Sequence, residues 1–374
     1  MQTVFFGPFI GEFGWELLYW QGWVRRVCRT HYRDYPKIAA SYPGRYPFYT
    51  DVDEFWPIPS SFVDLRVSGH GYCADGWRSG YPGVNVPKFT FRGALRAFFR
   101  SCPYEPEWSE VPVSTPDIAP HAERILEEFK SRLPDDTLFF VPWRWNRCDP
   151  EGLEFGTRIP EEGRPSHARI VVQSIDPEHQ LFERLEPTLA GQQEYRARVP
   201  EERKHLAVFA RHRALRRPDK NWPVEKYVEL VRRLQNLWPE LQVTILGEPG
   251  GTYFSDGVPE GCLDLIQIPS AKRMDVQISA LRRSVMAVGS TSGGIQFGLA
   301  TGCPAVHWGY NVHQPAVQRA NFTATPMIYY ADVDPSVDTV CTLLRHLESM
   351  LRNWSRPQLP AVEGGRPGGD LAKA

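Results

Sequence analysis

Apolar and polar positions alternate in two registers along this chain. From residue 205 onward, short aliphatic runs stand between longer segments whose apolar residues recur at helical spacing. The runs are HLAVFAR (205–211), QVTILG (242–247), LDLIQI (263–268), VMAVGS (285–290) and PAVHWG (304–309). The helical segments are 224–238, 274–284, SGGIQFGLATG and a last one over about 335–353. Strands alternating with helices at this interval predict a parallel, doubly wound sheet. Ligands of such sheets sit beyond the carboxyl ends of the strands.

The first 200 residues are less regular. VFFGPFI (4–10) predicts a strand, GEFGW a glycine-broken turn, and residues 16–29 a helix, which together open a βα unit. Between about 35 and 115, Pro, Gly, Tyr and Trp crowd together and no period can be traced. A helix over 119–133 and a strand over 137–143 restore the alternation, and HARIVVQSI (167–175) is a further strand candidate in the polar stretch 144–204. The expectation is an α/β protein of two Rossmann-like lobes, residues 1–200 and 201–355, with a Pro/Gly-rich tail at 356–374 that reads as disordered.

Length and composition agree: 374 residues suit two domains, and 42% hydrophobic with 23% charged residues is ordinary for a folded protein. Lys plus Arg number 43 against 44 Asp plus Glu, a net charge of -1, so no overall field favours nucleic acid. Any anion site must be local. Seven scattered cysteines without a C-x-x-C pair read as reduced thiols in a cytoplasmic protein, with no metal site. Glu12 and Glu16 interrupt the apolar N-terminus, which therefore reads as a strand and helix, and no other stretch is long and apolar enough to span a bilayer. Membrane contact, at most peripheral, is the expectation.

Three segments carry candidate chemistry. STSGG (Ser290, Thr291, Ser292, Gly293, Gly294) lies between a strand and a helix, where amide N–H groups and the positive end of the helix dipole converge on an anion. It also reads as a plain tight turn. ARHRALRRPDK, with Arg211, Arg213, Arg217 and Lys220, follows the strand at 205–211, and its cations suit phosphate oxygens. A solvated charged loop is the alternative. In IGEFGWE, Glu12 is a candidate general base, and Glu16, one turn on, a base, an orienter or a helix-dipole partner. Gly247, Gln296 and His307 fall near the same strand ends.

The stretch RRPDKNWPVEKYVELVRRL, then VTILG, then GSTSGGIQFGLATGCPAVHWG resembles the C-terminal half of the ADP-heptose lipopolysaccharide heptosyltransferases, glycosyltransferase family 9. I-G-E at 10–12 falls where that family has a G-D pair. Ser290 or Thr291 stands where an acid precedes the family's Thr-Gly, Gln296 stands where it has His, and the basic loop holds additional arginines. The resemblance implies a GT-B fold, with an N-terminal acceptor lobe and a C-terminal lobe for a nucleotide-diphosphate sugar. It also implies metal-independent, inverting transfer to a glycan, glycolipid or small-molecule hydroxyl in bacterial polysaccharide synthesis. Lys220 and the Ser292-Gly293 turn would hold the donor diphosphate, Glu12 would activate the acceptor, and Gly247, Gln296 and His307 would lie near nucleoside or sugar. Alternatives are a GDP-fucose-type transferase, which ARHRALRRPDK also resembles, a nucleotide-sugar 2-epimerase, and an inactive GT-B binding subunit.

Overall fold

The apolar run near the N-terminus forms β1 (Val4–Phe6), whose three residues are all buried, as a strand covered on both faces requires. The computed structural model of the chain describes residues 2–11, 13–60, 83–88, 90–100, 107–112, 119–142, 179–199, 203–213, 218–352 and 354. The expected strand over 4–10 stops at Phe6. A Cβ on Gly7 (φ 121°) would stand 2.4 Å from the Ala40 carbonyl oxygen, and Pro8 has no N–H to donate to a neighbour. The helix that follows begins before residue 16: α1 (Phe13–Trp15) leads through a π-helical turn over Glu16–Trp20 into α2 (Gln21–Thr30).

The region without traceable period holds β2 (Lys37–Ser41), a 3₁₀ turn at Tyr46–Phe48, β3 (Glu54–Pro57), β4 (Gly83–Lys88), α3 (Phe91–Arg100) and β5 (Glu107–Pro112). After it come α4 (Ala119–Lys130) and β6 (Leu138–Phe140). β1, β2, β3 and β6 form a parallel sheet in the order β3-β2-β1-β6, while β4 and β5 pair antiparallel on their own. The strand expected at 167–175 and the tail at 356–374 lie outside the described residues.

The C-terminal lobe follows its pattern closely. Its elements are β7 (His205–Phe209), α6 (Val224–Leu237), β8 (Gln242–Ile245), β9 (Leu263–Asp264), α7 (Ser270–Arg283), β10 (Ser284–Ser290), α8 (Gly293–Ala300) and β11 (Ala305–Trp308). α9 (Gln314–Ala320), β12 (Met327–Tyr330) and α10 (Val337–Leu351) complete it. The sheet is parallel in the order β12-β11-β10-β7-β8-β9, so chain winding reverses between β7 and β10. That reversal opens a crevice at the strands' carboxyl ends.

Packing extends this lobe N-terminally of residue 201. Helix α5 (Leu189–Arg198) precedes the expected boundary, yet Glu194 pairs with Lys272 of α7 at 2.9 Å and the Tyr195 hydroxyl bonds the His205 ring. One face of the large sheet buries Tyr227, Leu230 and Leu234 of α6 with Val340 and Leu344 of α10. On the other face, Ile278 and Leu281 of α7 and Leu299 of α8 share one apolar cluster with Leu17, Trp20 and Trp23 of the N-terminal lobe. The lobes thus have a common core on the side where the crevice lies.

Candidate functional site

The crevice between β7 and β10 widens into a cavity of about 1040 Å³, open mouth included. Each strand end contributes: Ala210, Arg211 and Arg213 after β7, Gly247 and Glu248 after β8, and Ser292, Gly293 and Gly294 at the start of α8. Arg273 and Gln277 enter from α7, and Phe13, Tyr42 and Arg45 form a wall from the N-terminal lobe.

The corner at the start of α8 is built from the sequence upward. Ser290 ends β10, its hydroxyl 3.3 Å from the buried Tyr227 hydroxyl, and the Thr291 N–H donates to the Trp308 carbonyl at 2.7 Å. These bonds fix the turn, so Ser290 and Thr291 anchor it from below without lining the cavity. Ser292 is the extended residue before α8, leaving the first amides of Gly293 and Gly294 at the cavity wall. Glycine leaves the rings room here: a Cβ on Gly293 would stand 2.9 Å from Phe13 Cδ1, and one on Gly294 would stand 2.8 Å from Phe209 Cδ1, so either ring would have to shift.

The basic loop is ordered by one amide. Asn221 accepts from the Arg211 guanidinium and, at 3.0 Å, from the Arg213 N–H, and its own NH2 donates to the Arg213 carbonyl at 2.8 Å. Thr252 covers the loop from the other side, its hydroxyl donating to the Ala210 carbonyl at 2.8 Å. Arg211 and Arg213 therefore line the cavity as expected. Lys220 lies in a 3₁₀ turn outside the lining, and Arg217 falls outside the described residues.

Other expected positions separate clearly. Gly247 lines the cavity, and its φ of 138° is a conformation few other residues adopt. Gln296 is buried one turn into α8, and a Cβ on Gly14 would lie 3.7 Å from its Oε1, which places it at the lobe contact and off the cavity. His307 is a correction. It sits fully buried in β11, outside the lining, with no hydrogen-bond partner for either ring nitrogen among the described residues. Burial pushes its pKa down to about 3, so it is a neutral core residue packed edge-on against Tyr329.

Glu12 lies outside the described residues, although its neighbour Phe13 lines the cavity. Glu16 is described and fully buried. It accepts from Ser41 Oγ at 2.5 Å, Tyr49 hydroxyl at 2.6 Å and Arg45 Nη1 at 2.6 Å. Burial raises its pKa, opposed by the Arg45 charge and these hydrogen bonds. A carboxylate so enclosed cannot reach an acceptor hydroxyl in this geometry; of the roles open to Glu16, the geometry matches the orienter.

Patterning alone missed Phe13, Tyr42, Arg45, Thr252, Arg273 and Gln277. The pair Gly250-Gly251 beside Thr252 is a loop signal of the kind that was read at Gly293. Nothing local marks Arg45, whose role comes from packing between lobes. Among the described residues, no group of three or more His, Cys, Asp or Glu is arranged to hold a metal ion, and no helix is long and apolar enough to cross a membrane.

No protein-family model matches the sequence, and no curated protein matches it. Solved structures do. The glycosyltransferase family 9 protein of Veillonella parvula DSM 2008 aligns over 93% of this chain and 97% of its own, with TM-score 0.53 and 11% identity. ADP-heptose LPS heptosyltransferase II of E. coli aligns over 94% of this chain and 100% of its own, with TM-score 0.51 and 14% identity. The chain has the fold of these glycosyltransferases. The two-lobed GT-B arrangement expected from the C-terminal motifs therefore holds. In this GT-B fold the cavity lies in the cleft, with parallel strand ends of both lobes facing it.

Proposed function

We propose that the protein is a glycosyltransferase that takes a sugar from a nucleotide-diphosphate sugar and passes it to a hydroxyl of a glycan, glycolipid or small molecule, with inversion and without a metal ion. One observation carries this reading: the cavity at the switch point brings Arg45, Arg211, Arg213 and Arg273 together with the N-terminus of α8. Guanidinium groups and helix amides are the partners a diphosphate requires.

The acceptor hydroxyl oxygen attacks the anomeric carbon as its proton passes to the Glu12 carboxylate. The bond between that carbon and the diphosphate oxygen breaks, and its electron pair leaves with the nucleoside diphosphate. Arginines held in place before reaction stabilise the growing charge without reorganising, which is electrostatic preorganisation. Glu12 is assigned by its place in the chain, immediately before Phe13. Among the described residues, Glu248 is the one carboxylate in the lining, which favours transfer over epimerisation, a reaction that needs paired acid and base groups at the sugar ring.

A membrane-borne acceptor has one surface that suits it. Phe91, Phe98 and Phe99 of α3 are 73–79% exposed, and Leu95 joins them on the same face. In the sequence of this helix, Arg92, Arg96 and Arg100 recur every fourth position and no acidic residue occurs. Apolar residues flanked by arginines fit the interface of an anionic bilayer. We assign peripheral membrane contact to this helix, and with it favour a glycolipid acceptor.

The deciding experiment is incubation with a panel of nucleotide sugars, following release of nucleoside diphosphate with and without a lipid-extract acceptor. Release that requires acceptor and is abolished by Glu12→Gln, with nucleotide binding kept, supports the reading. Binding without turnover under all conditions would leave an inactive GT-B subunit.

A further inference from the structure

The N-terminal lobe does more than face the cavity: it sends one arginine into it. Arg45 lies on the segment leaving β2, which is tied down on both lobes. Tyr42 donates its hydroxyl to the Ile10 carbonyl at 2.8 Å. Gly44, with φ 82°, lies so close to α7 that a Cβ there would stand 2.1 Å from the Ser270 carbonyl oxygen. Tyr46 donates to Asp275 of α7 at 2.5 Å, and that buried carboxylate also accepts the Thr188 N–H at 2.8 Å. Residues 42–46 are therefore fixed to the C-terminal lobe as well as to their own.

Arg45 is held as firmly. Its guanidinium lies 4.3 Å from the centre of the Phe13 ring, and the same ring touches the start of α8 at Gly293. Nη1 donates to Glu16 at 2.6 Å, the side chains being 9% and 0% exposed. That bond uses one of five N–H donors in the guanidinium fork. Around the cavity, the four arginines exceed Glu248 and Glu16 by two positive charges. A nucleotide-diphosphate sugar carries a doubly charged diphosphate diester, which matches that excess. Glu16 supplies the opposite charge that a guanidinium so withdrawn from water needs.

We propose that Arg45 is a diphosphate ligand contributed by the N-terminal lobe, with Glu16 as its positioning residue, so that the donor is held between the lobes. This rests on the donor reading given above. The diphosphate lies with the α8 amides and Arg211 on one side and Arg45 on the other. The donor then contacts both lobes before the acceptor arrives, and loss of Arg45 removes one wall of the site.

The test is calorimetric titration of the full chain with inorganic pyrophosphate, which carries no base, and with ADP, GDP and UDP. The proteins are wild type, Arg45→Gln, Glu16→Gln and the double variant. Arg45→Gln is expected to weaken pyrophosphate and the preferred nucleoside diphosphate by about tenfold or more, as loss of a charge-assisted bidentate contact does. Binding of the matching free nucleoside should stay within about twofold. Because Glu16 acts through Arg45, the double variant should bind no more weakly than Arg45→Gln alone. The double variant also removes both buried charges, so it serves if Arg45→Gln does not fold. Pyrophosphate affinity within twofold of wild type in Arg45→Gln or the double variant overturns the proposal and leaves the donor reading intact. Additive losses overturn the positioning role of Glu16. Wild-type protein that binds none of the diphosphates overturns the donor reading itself.

Discussion

Arg45 Nη1 donates to Glu16 Oε2 at 2.6 Å, joining a fully buried carboxylate on the first helix to a cationic wall of the cleft. Glu16 has two further donors, Ser41 and Tyr49, so the carboxylate anchors the π-helical turn, β2 and the segment after it at one point. Glu16→Ala strands the guanidinium and opens a void. The expected cost is about 3–5 kcal/mol, the usual penalty for breaking a buried pair from one side. Urea unfolding followed by tryptophan fluorescence measures it; a loss below about 1 kcal/mol would mean that water reaches the site.

The lobes also meet where Gly14 and Gly293 face each other, and a Cβ on Gly293 would lie 3.4 Å from the Gly14 amide nitrogen as well as against Phe13. Gly293→Ala keeps the helix and its amides but pushes Phe13 away from the start of α8. Diphosphate affinity should fall by about tenfold, roughly 1.4 kcal/mol, with little change in melting temperature. Unchanged affinity would show that the Phe13 wall yields freely.

How much of this was legible follows from what each segment packs against. β7 and β10 are covered on both faces, so their apolar runs stand out in the sequence, and the C-terminal lobe could be traced. β2 is also buried but reads KIAAS, and Lys37 at its start satisfies its ammonium on the Arg33 and Tyr35 carbonyls at 3.2 and 2.7 Å. A lysine in that position hides a strand from any pattern. The π-helical turn has the same effect, because it buries Glu16, Leu17 and Leu18 in succession and so breaks the helical spacing. The corner at the start of α8 and the basic loop were readable because their glycines and arginines are local in sequence. Arg45 was not, because its place depends on contacts with Glu16, 29 residues away, and on a loop docked against Ser270.

Acid stability should report the buried histidines. Burial holds His307 down to about 3, and burial followed by the Arg283 charge holds His205 down to about 4. In the unfolded chain both titrate near 6.5. Between those values the unfolded state binds more protons, so stability is full above about pH 6.5 and is lost as pH falls, by up to about 1.4 kcal/mol per pH unit for each group. Carboxylates that are paired in the fold add to the same slope, so the informative comparison is His307→Gln. Its unfolding free energy between pH 4.5 and 7 should be flatter than wild type by about one proton. An identical slope would mean that His307 is protonated in the folded protein.

The exposed face of α3 gives the last prediction. Burying a phenylalanine is worth about 1.5–3 kcal/mol, so Phe98 and Phe99 together hold enough to bring the protein to a bilayer, with Arg92, Arg96 and Arg100 adding attraction to anionic headgroups. The protein should sediment with vesicles containing phosphatidylglycerol, should not sediment with pure phosphatidylcholine, and should be released by roughly 0.5 M salt as headgroup attraction is screened. Phe98→Asp with Phe99→Asp should lower vesicle partition by at least about tenfold and leave diphosphate binding unchanged, because neither Phe98 nor Phe99 lines the cavity. Light scattering on the vesicle-free protein separates the competing explanation. A dimer that the same pair of substitutions converts to monomer would assign this face to a second copy of the chain and remove the case for membrane contact.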